Sequence, residues 1–142
     1  MVSFNFDSSF ISALNKLIFR ESVMKVIQVS KVLKEPFIND LFTGTDVTKQ
    51  ALIPNSNEYE INNVNFGRGV RLKFHSHDCE QVLIVTAGTG IVATEQEETV
   101  VTVGDVIFIP KGEKHWHGAT SDSEFSHIFI YKKGSKYTQL ED

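Results

Sequence analysis

"QVLIVTAGTGIVATEQEETVVTVGDVIFIPKGEKHWHGAT", residues 81–120, is a series of short apolar runs cut by turn residues. "QVLIVT" stops at "AGTG", "GIVATE" at "QEE", "TVVTV" at "GD" and "VIFIP" at "KGEK", after which "HWHGA" follows. Runs this short, rich in β-branched and aromatic residues and lacking any helical spacing between them, predict consecutive strands. The pattern continues outward. Upstream, "LFTGTDVTKQALI" is parted by the loop "PNSNE" from "INNVNF", which ends at "GRG"; downstream, "TSDSE" leads into "FSHIFIY". Strands at this spacing predict an all-β sandwich or barrel. Because sheet edges must be closed or covered, the expectation is a small closed jelly-roll barrel. It is expected over residues 24–135, followed by a polar C-terminal tail over 136–142.

Bulk composition agrees with one soluble domain. A chain of 142 residues, 41% hydrophobic and 23% charged, can bury a core without staples and is too apolar for disorder. Lys and Arg number 14 against 18 Asp and Glu, and no basic run occurs, so nucleic acid is not an expected partner. The single cysteine, Cys79, cannot close an internal disulfide, which fits a reducing cytoplasm. Residues 1–23 read as an extension. "DSSFISALNKLIFRES" puts Phe10, Ile11, Leu14, Leu17 and Ile18 on one helical face, with Asp7 or Ser8 as N-cap. It lacks the basic start and cleavage site of a secretory signal and is far short of a membrane span. Either it packs as an amphipathic helix on the body or on a second copy, or translation starts at Met24, where strand-like "MKVIQVS" begins.

The five histidines carry the chemistry. His75 and His77 stand one residue apart, as do His115 and His117, while His127 lies in "FSHIFIY". Side chains alternate along a strand, so each pair shares a face. Two strands that each offer paired imidazoles can converge on one point inside a barrel. Neutral nitrogen donors, an oxygen donor such as Gln81 of the same parity, and open coordination positions are what a first-row divalent cation takes. A lone histidine in a strand is more often a packed residue, and Gln81 alone would be an ordinary polar residue. Two H-x-H pairs are harder to dismiss. Arg71 and Lys73 read as a solvated edge or as anion binders, and Trp116 points away from the histidines by alternation.

These residues also match two motifs. Gly69, "VRLKF", His75, Ser76 and His77, closed by Gly90, fit the first; Gly104, "DVIFI", Pro110, Lys111, Gly112, "EK" and His115 fit the second. The chain thereby resembles the cupin superfamily, from about Met24 to Tyr131. "QVLIVTAGTG" and "PKGEKHWHGAT" are similar to the small single-domain cupins related to those fused to carboxymuconolactone decarboxylases, some of which are manganese-dependent hydroxynitrile lyases. The resemblance implies a metal site of His75, His77, Gln81 and His115, with glutamine where most cupins carry glutamate. It also implies histidine at positions 117 and 127 in the lyases. An asparagine of the second motif is absent, Ala119 standing in its place.

Four neutral donors leave the full double charge of a cation on the site, where a glutamate would halve it. Such a site draws anions and acidifies a bound hydroxyl more strongly. Manganese is the favoured ion, with iron, nickel, zinc and copper compatible. His117 and His127 are the candidates for proton transfer, unless one only orients a neighbour by hydrogen bonding; Tyr131, of the same parity as His127, is a candidate for substrate contact. The expected function is a lyase acting on a small polar organic substrate with the metal as Lewis acid. A dioxygenase or isomerase, or a non-catalytic metabolite-binding cupin, is the alternative. A homodimer is expected from exposed edge strands.

Overall fold

The computed structural model describes residues 24–142, together with Ser8 and Ser9. Apart from those two serines, the helix expected within residues 1–23 lies outside the described residues. Ten strands follow in chain order: β1 (Glu35–Pro36), β2 (Val47–Ala51), β3 (Tyr59–Phe66), β4 (His75–His77) and β5 (Gln81–Thr94), then β6 (Glu98–Thr102), β7 (Val106–Ile109), β8 (His115–Ala119), β9 (Phe125–Lys132) and β10 (Tyr137–Gln139). They form one curled antiparallel sheet in the order β1-β2-β3-β9-β5-β8-β4-β10, with β6 and β7 attached to β5. This is the all-β jelly roll that the spacing of apolar runs predicts. Among the described residues no helix is long and apolar enough to cross a membrane.

One strand joins the two walls. The first half of β5 pairs with β7 and β9, and its second half with β6 and β8. The sequence reading places a turn at "AGTG", but the chain runs through it as strand. The register slips between Val85 and Ala87, a bulge that bends the strand from one wall into the other. Gly88 takes φ +67°, and a Cβ there would strike the Glu124 carbonyl; at Gly90 a Cβ would lie 2.5 Å from the Phe125 ring. The glycines that resemble turn residues serve close packing across the fold.

Alternation then sorts each strand. Leu83 and Val85 of β5, Val64 and Phe66 of β3, and Phe125 and Phe129 of β9 all face the interior, where Leu83 is fully buried. Phe37, Phe42, Phe66 and Phe125 form a run of ring contacts at 5.2–5.9 Å between centroids. The opposite face of β3 carries a polar ladder. Gln50 Oε1 accepts from Asn63 and Asn65, while its Nε2 donates to the carbonyls of Val29 and Val32 at 2.7 and 2.8 Å. The stretch read as strand-like at 24–30 is therefore no strand; it ends in a 3-10 turn, Val29–Lys31, held by Gln50.

The segment read as a polar C-terminal tail is also ordered. It supplies β10, which pairs residue for residue with β4: Tyr137 with His77, Thr138 with Ser76, and Gln139 with His75. Beyond it the Leu140 N–H donates to the Phe74 carbonyl at 2.7 Å. The Glu141 carboxylate accepts from both terminal nitrogens of Arg71, at 2.7 and 3.0 Å, and from the Phe74 N–H. Its exposed polar side chains resemble a tail, yet its backbone closes the edge of the strand that bears His75 and His77.

Candidate metal centre

β4 and β8 meet inside the barrel at a single registered pair, His75 opposite His115. Their rings lie 4.3 Å apart between centroids, and His77 stands 5.0 Å from His75 and 5.6 Å from His115. One nitrogen of each of His75, His77 and His115 lies within 4.8 Å of the others. Gln81 opens β5 and is 3% exposed; its Oε1 is buried without a hydrogen-bond partner among the described residues, as are His77 Nε2 and His115 Nε2. Leaving so many buried polar atoms unmatched costs free energy unless something satisfies them.

Backbone contacts fix the tautomers. A carbonyl can only accept, so the Nδ1–H of His75 donates to Lys73 O at 2.8 Å and that of His115 to Glu113 O at 2.8 Å. Each ring therefore presents an Nε2 lone pair, the form in which imidazole ligates metals. Burial keeps the rings uncharged. It pushes His75 down to about 3 and His77 to about 4, with repulsion from His115 adding to both, and it lowers His115 as well. The donor set, its orientation and its unmatched atoms fit a divalent transition metal.

The remaining histidines sit directly behind. His117 stacks on His115 at 5.8 Å and lies 5.8 Å from His75. Its Nδ1 is 3.0 Å from Nε2 of His127, so one of the two rings donates to the other. Both are buried, His127 completely. Burial, reinforced for His117 by His127 and the other imidazoles, drives His117 well below its ordinary value; burial takes His127 to about 4. His117 Nε2 has no hydrogen-bond partner among the described residues. Tyr131 faces His77 at 5.5 Å and stacks on Phe129. Cys79 is half-buried and outside the histidine cluster.

Two placements add to the sequence reading. Arg71 is engaged by Glu141 and lies 4.8 Å over the Trp116 ring, so it is committed to structure and unavailable as an anion binder. Glu60 and Asn62 of β3, which the sequence reading passed over, face inward: Glu60 is the register partner of Tyr131, and Asn62 that of Phe129. Parity with Val64 and Phe66 puts both on the inner face, but what they stand beside follows only from the pairing of β3 with β9. A cleft of about 640 Å³ between β6 and β7, lined in part by Val101, Ile107 and Ile109, reaches His115 from the flank.

A jelly roll that carries three converging histidines on its facing strands defines a class, and the chain belongs to the cupin superfamily. The family model for the cupin domain matches residues 64–131. A cupin-like protein of known structure from Thermotoga maritima is 32% identical, with a TM-score of 0.70, over 76% of this chain and 85% of its own. The (R)-mandelonitrile lyase of Granulicella tundricola is 41% identical over 73 residues, 49% of this chain and 54% of the lyase. The HTH-type transcriptional activator RhaR of Mannheimia succiniciproducens is 33% identical over 54 residues, 38% of this chain and 20% of the activator. The matched part thus spans about half of the one curated relative and a fifth of the other.

Proposed function

We propose that the protein is a mononuclear divalent-metal enzyme that cleaves or forms cyanohydrins, with manganese as the favoured ion. The observation that carries this reading is the group of His75, His77 and His115 nitrogens within 4.8 Å of one another, beside an unmatched Gln81 Oε1. The likeness to a mandelonitrile lyase supports it. His75, His77, Gln81 and His115 would hold the ion, which supplies Lewis-acid stabilisation of negative charge on a substrate oxygen.

The chain's own residues supply the rest. His117 is uncharged at neutral pH, so Nε2 can take the hydroxyl proton of a cyanohydrin. As the carbonyl forms, the bond to the cyano carbon breaks and its electron pair leaves with cyanide. Cyanide then accepts the proton and departs as hydrogen cyanide. His127, whose Nε2 is 3.0 Å from His117 Nδ1, would accept its Nδ1–H and stabilise the ring while it is charged. Tyr131 lines the space beside His77 and would contact the substrate. The neutral amide of Gln81 keeps the site more positive than a carboxylate would, which suits charge development on oxygen.

Purified protein should contain about one transition-metal ion per chain by elemental analysis and release cyanide from mandelonitrile in a metal-dependent way. Metal-loaded protein that releases none, yet takes up oxygen with organic substrates, would replace this reading with a dioxygenase. The stretch shared with a transcriptional activator favours a second reading, a cupin that binds a metabolite without turning it over. Tight metabolite binding by metal-loaded protein with no turnover of any kind would establish it.

A further inference from the structure

The inner face of β3 has its own chemistry. Across β3, β9 and β5 the register sets Glu60 beside Tyr131, and Tyr131 beside Gln81. One inward row therefore runs from a carboxylate through a phenol to the amide of the metal-site cluster. Strands lie about 4.8 Å apart, so Glu60 and Gln81 bracket a space of roughly 10 Å. The next row begins with Asn62, 6% exposed, whose Nδ2 donates to Glu60 Oε1 at 3.2 Å. Tyr131 hydrogen-bonds the same Glu60 side chain. The other inward residues of β3 are Val64 and Phe66, both core. Asn62 and Tyr131 hold the half-buried Glu60 side chain in one place.

We infer that Glu60, seated by Asn62 and Tyr131, receives a hydrogen-bond donor on the part of the substrate remote from the metal. The substrates are then hydroxyl- or amino-bearing carbonyl compounds or their cyanohydrins, in preference to plain aryl or alkyl ones, and carboxylates are disfavoured at that end. This rests on the metal-centred reading above, which places the substrate oxygen at the histidines.

Binding of two unreactive probes, benzyl alcohol and 4-hydroxybenzyl alcohol, tests the inference by calorimetry on manganese-loaded and metal-stripped protein. Manganese-loaded wild type should bind the hydroxylated probe about tenfold more tightly, the increment of one charge-assisted hydrogen bond. Glu60→Ala and the near-isosteric Glu60→Gln should bring the two affinities to within about twofold. Bound manganese at wild-type stoichiometry reports an intact barrel in each variant. Equal affinities in the wild type, or a preference that survives both substitutions, overturns the role of Glu60 while leaving the metal centre standing. If neither alcohol binds the loaded protein better than the stripped one, the metal-centred reading fails and this inference falls with it.

Discussion

His75 and His115 each spend one ring nitrogen on the backbone two residues before them. The lone pairs that remain are aimed by local geometry, with no help from a distant partner. Replacing either ring with alanine should therefore lower metal affinity by more than the roughly 10–100-fold typical of outer-shell changes. The metal-free protein should stay folded, because the hydrophobic core built on Leu83, Val64, Phe66 and Phe125 includes neither ring. Elemental analysis and far-UV circular dichroism read the two effects separately. Gln81→Glu should act in the opposite sense. Adding a negative charge to the donor set tightens manganese binding against a chelator and weakens binding of acetate or cyanide. The histidines and Gln81 were legible because alternation needs no knowledge of neighbouring strands. Glu60 was not, since its meaning depends on the β3–β9 register that sets it beside Tyr131.

At the scale of elements, β4 is the short strand that carries two of the histidines and shares just one registered pair with β8. Its other edge rests on β10, on Leu140 and on the Glu141 clamp. Removing residues 137–142 should thus weaken manganese binding about tenfold or more while most of the sheet survives, as a chelator titration with circular dichroism would register. Arg71 and the Phe74 N–H hold the Glu141 carboxyl down, to about 2 from the usual 4.5. Because the folded value is the lower one, the clamp contributes fully above about pH 4.5 and is lost as pH falls towards 2. Being partly solvated it is worth only about 0.5–1 kcal/mol. β10 escaped the sequence reading because three exposed polar side chains leave no alternation to see. The continuous β5 escaped for a different reason: Gly88 and Gly90 have the composition of a turn, and their tight contacts with Glu124 and Phe125 arise only in the folded chain. Gly90→Ala should destabilise by about 1–3 kcal/mol in a denaturant titration, since the Phe125 ring must move.

Taken whole, the molecule buries a set of uncharged imidazoles that an unfolded chain would protonate near 6.5. Between that value and the folded values of about 3 to 4, the unfolded state binds more protons, so stability falls as pH drops. The melting temperature of metal-free protein should be flat above about pH 7 and decline steadily below about 6.5. An ion held at a hundredfold excess over its Kd would add about 2.7 kcal/mol at neutral pH, and differential scanning calorimetry with and without manganese measures both trends. The strand that bears His75 and His77 has a further consequence for how the ion gets in. Its backbone and flanks are secured by groups 67 and 70 residues away along the chain, and such distant contacts pay loop-closure entropy before they return anything. Capture of the cation should then follow assembly of the barrel instead of nucleating it, so that refolding proceeds at the same speed whether or not manganese is in the buffer.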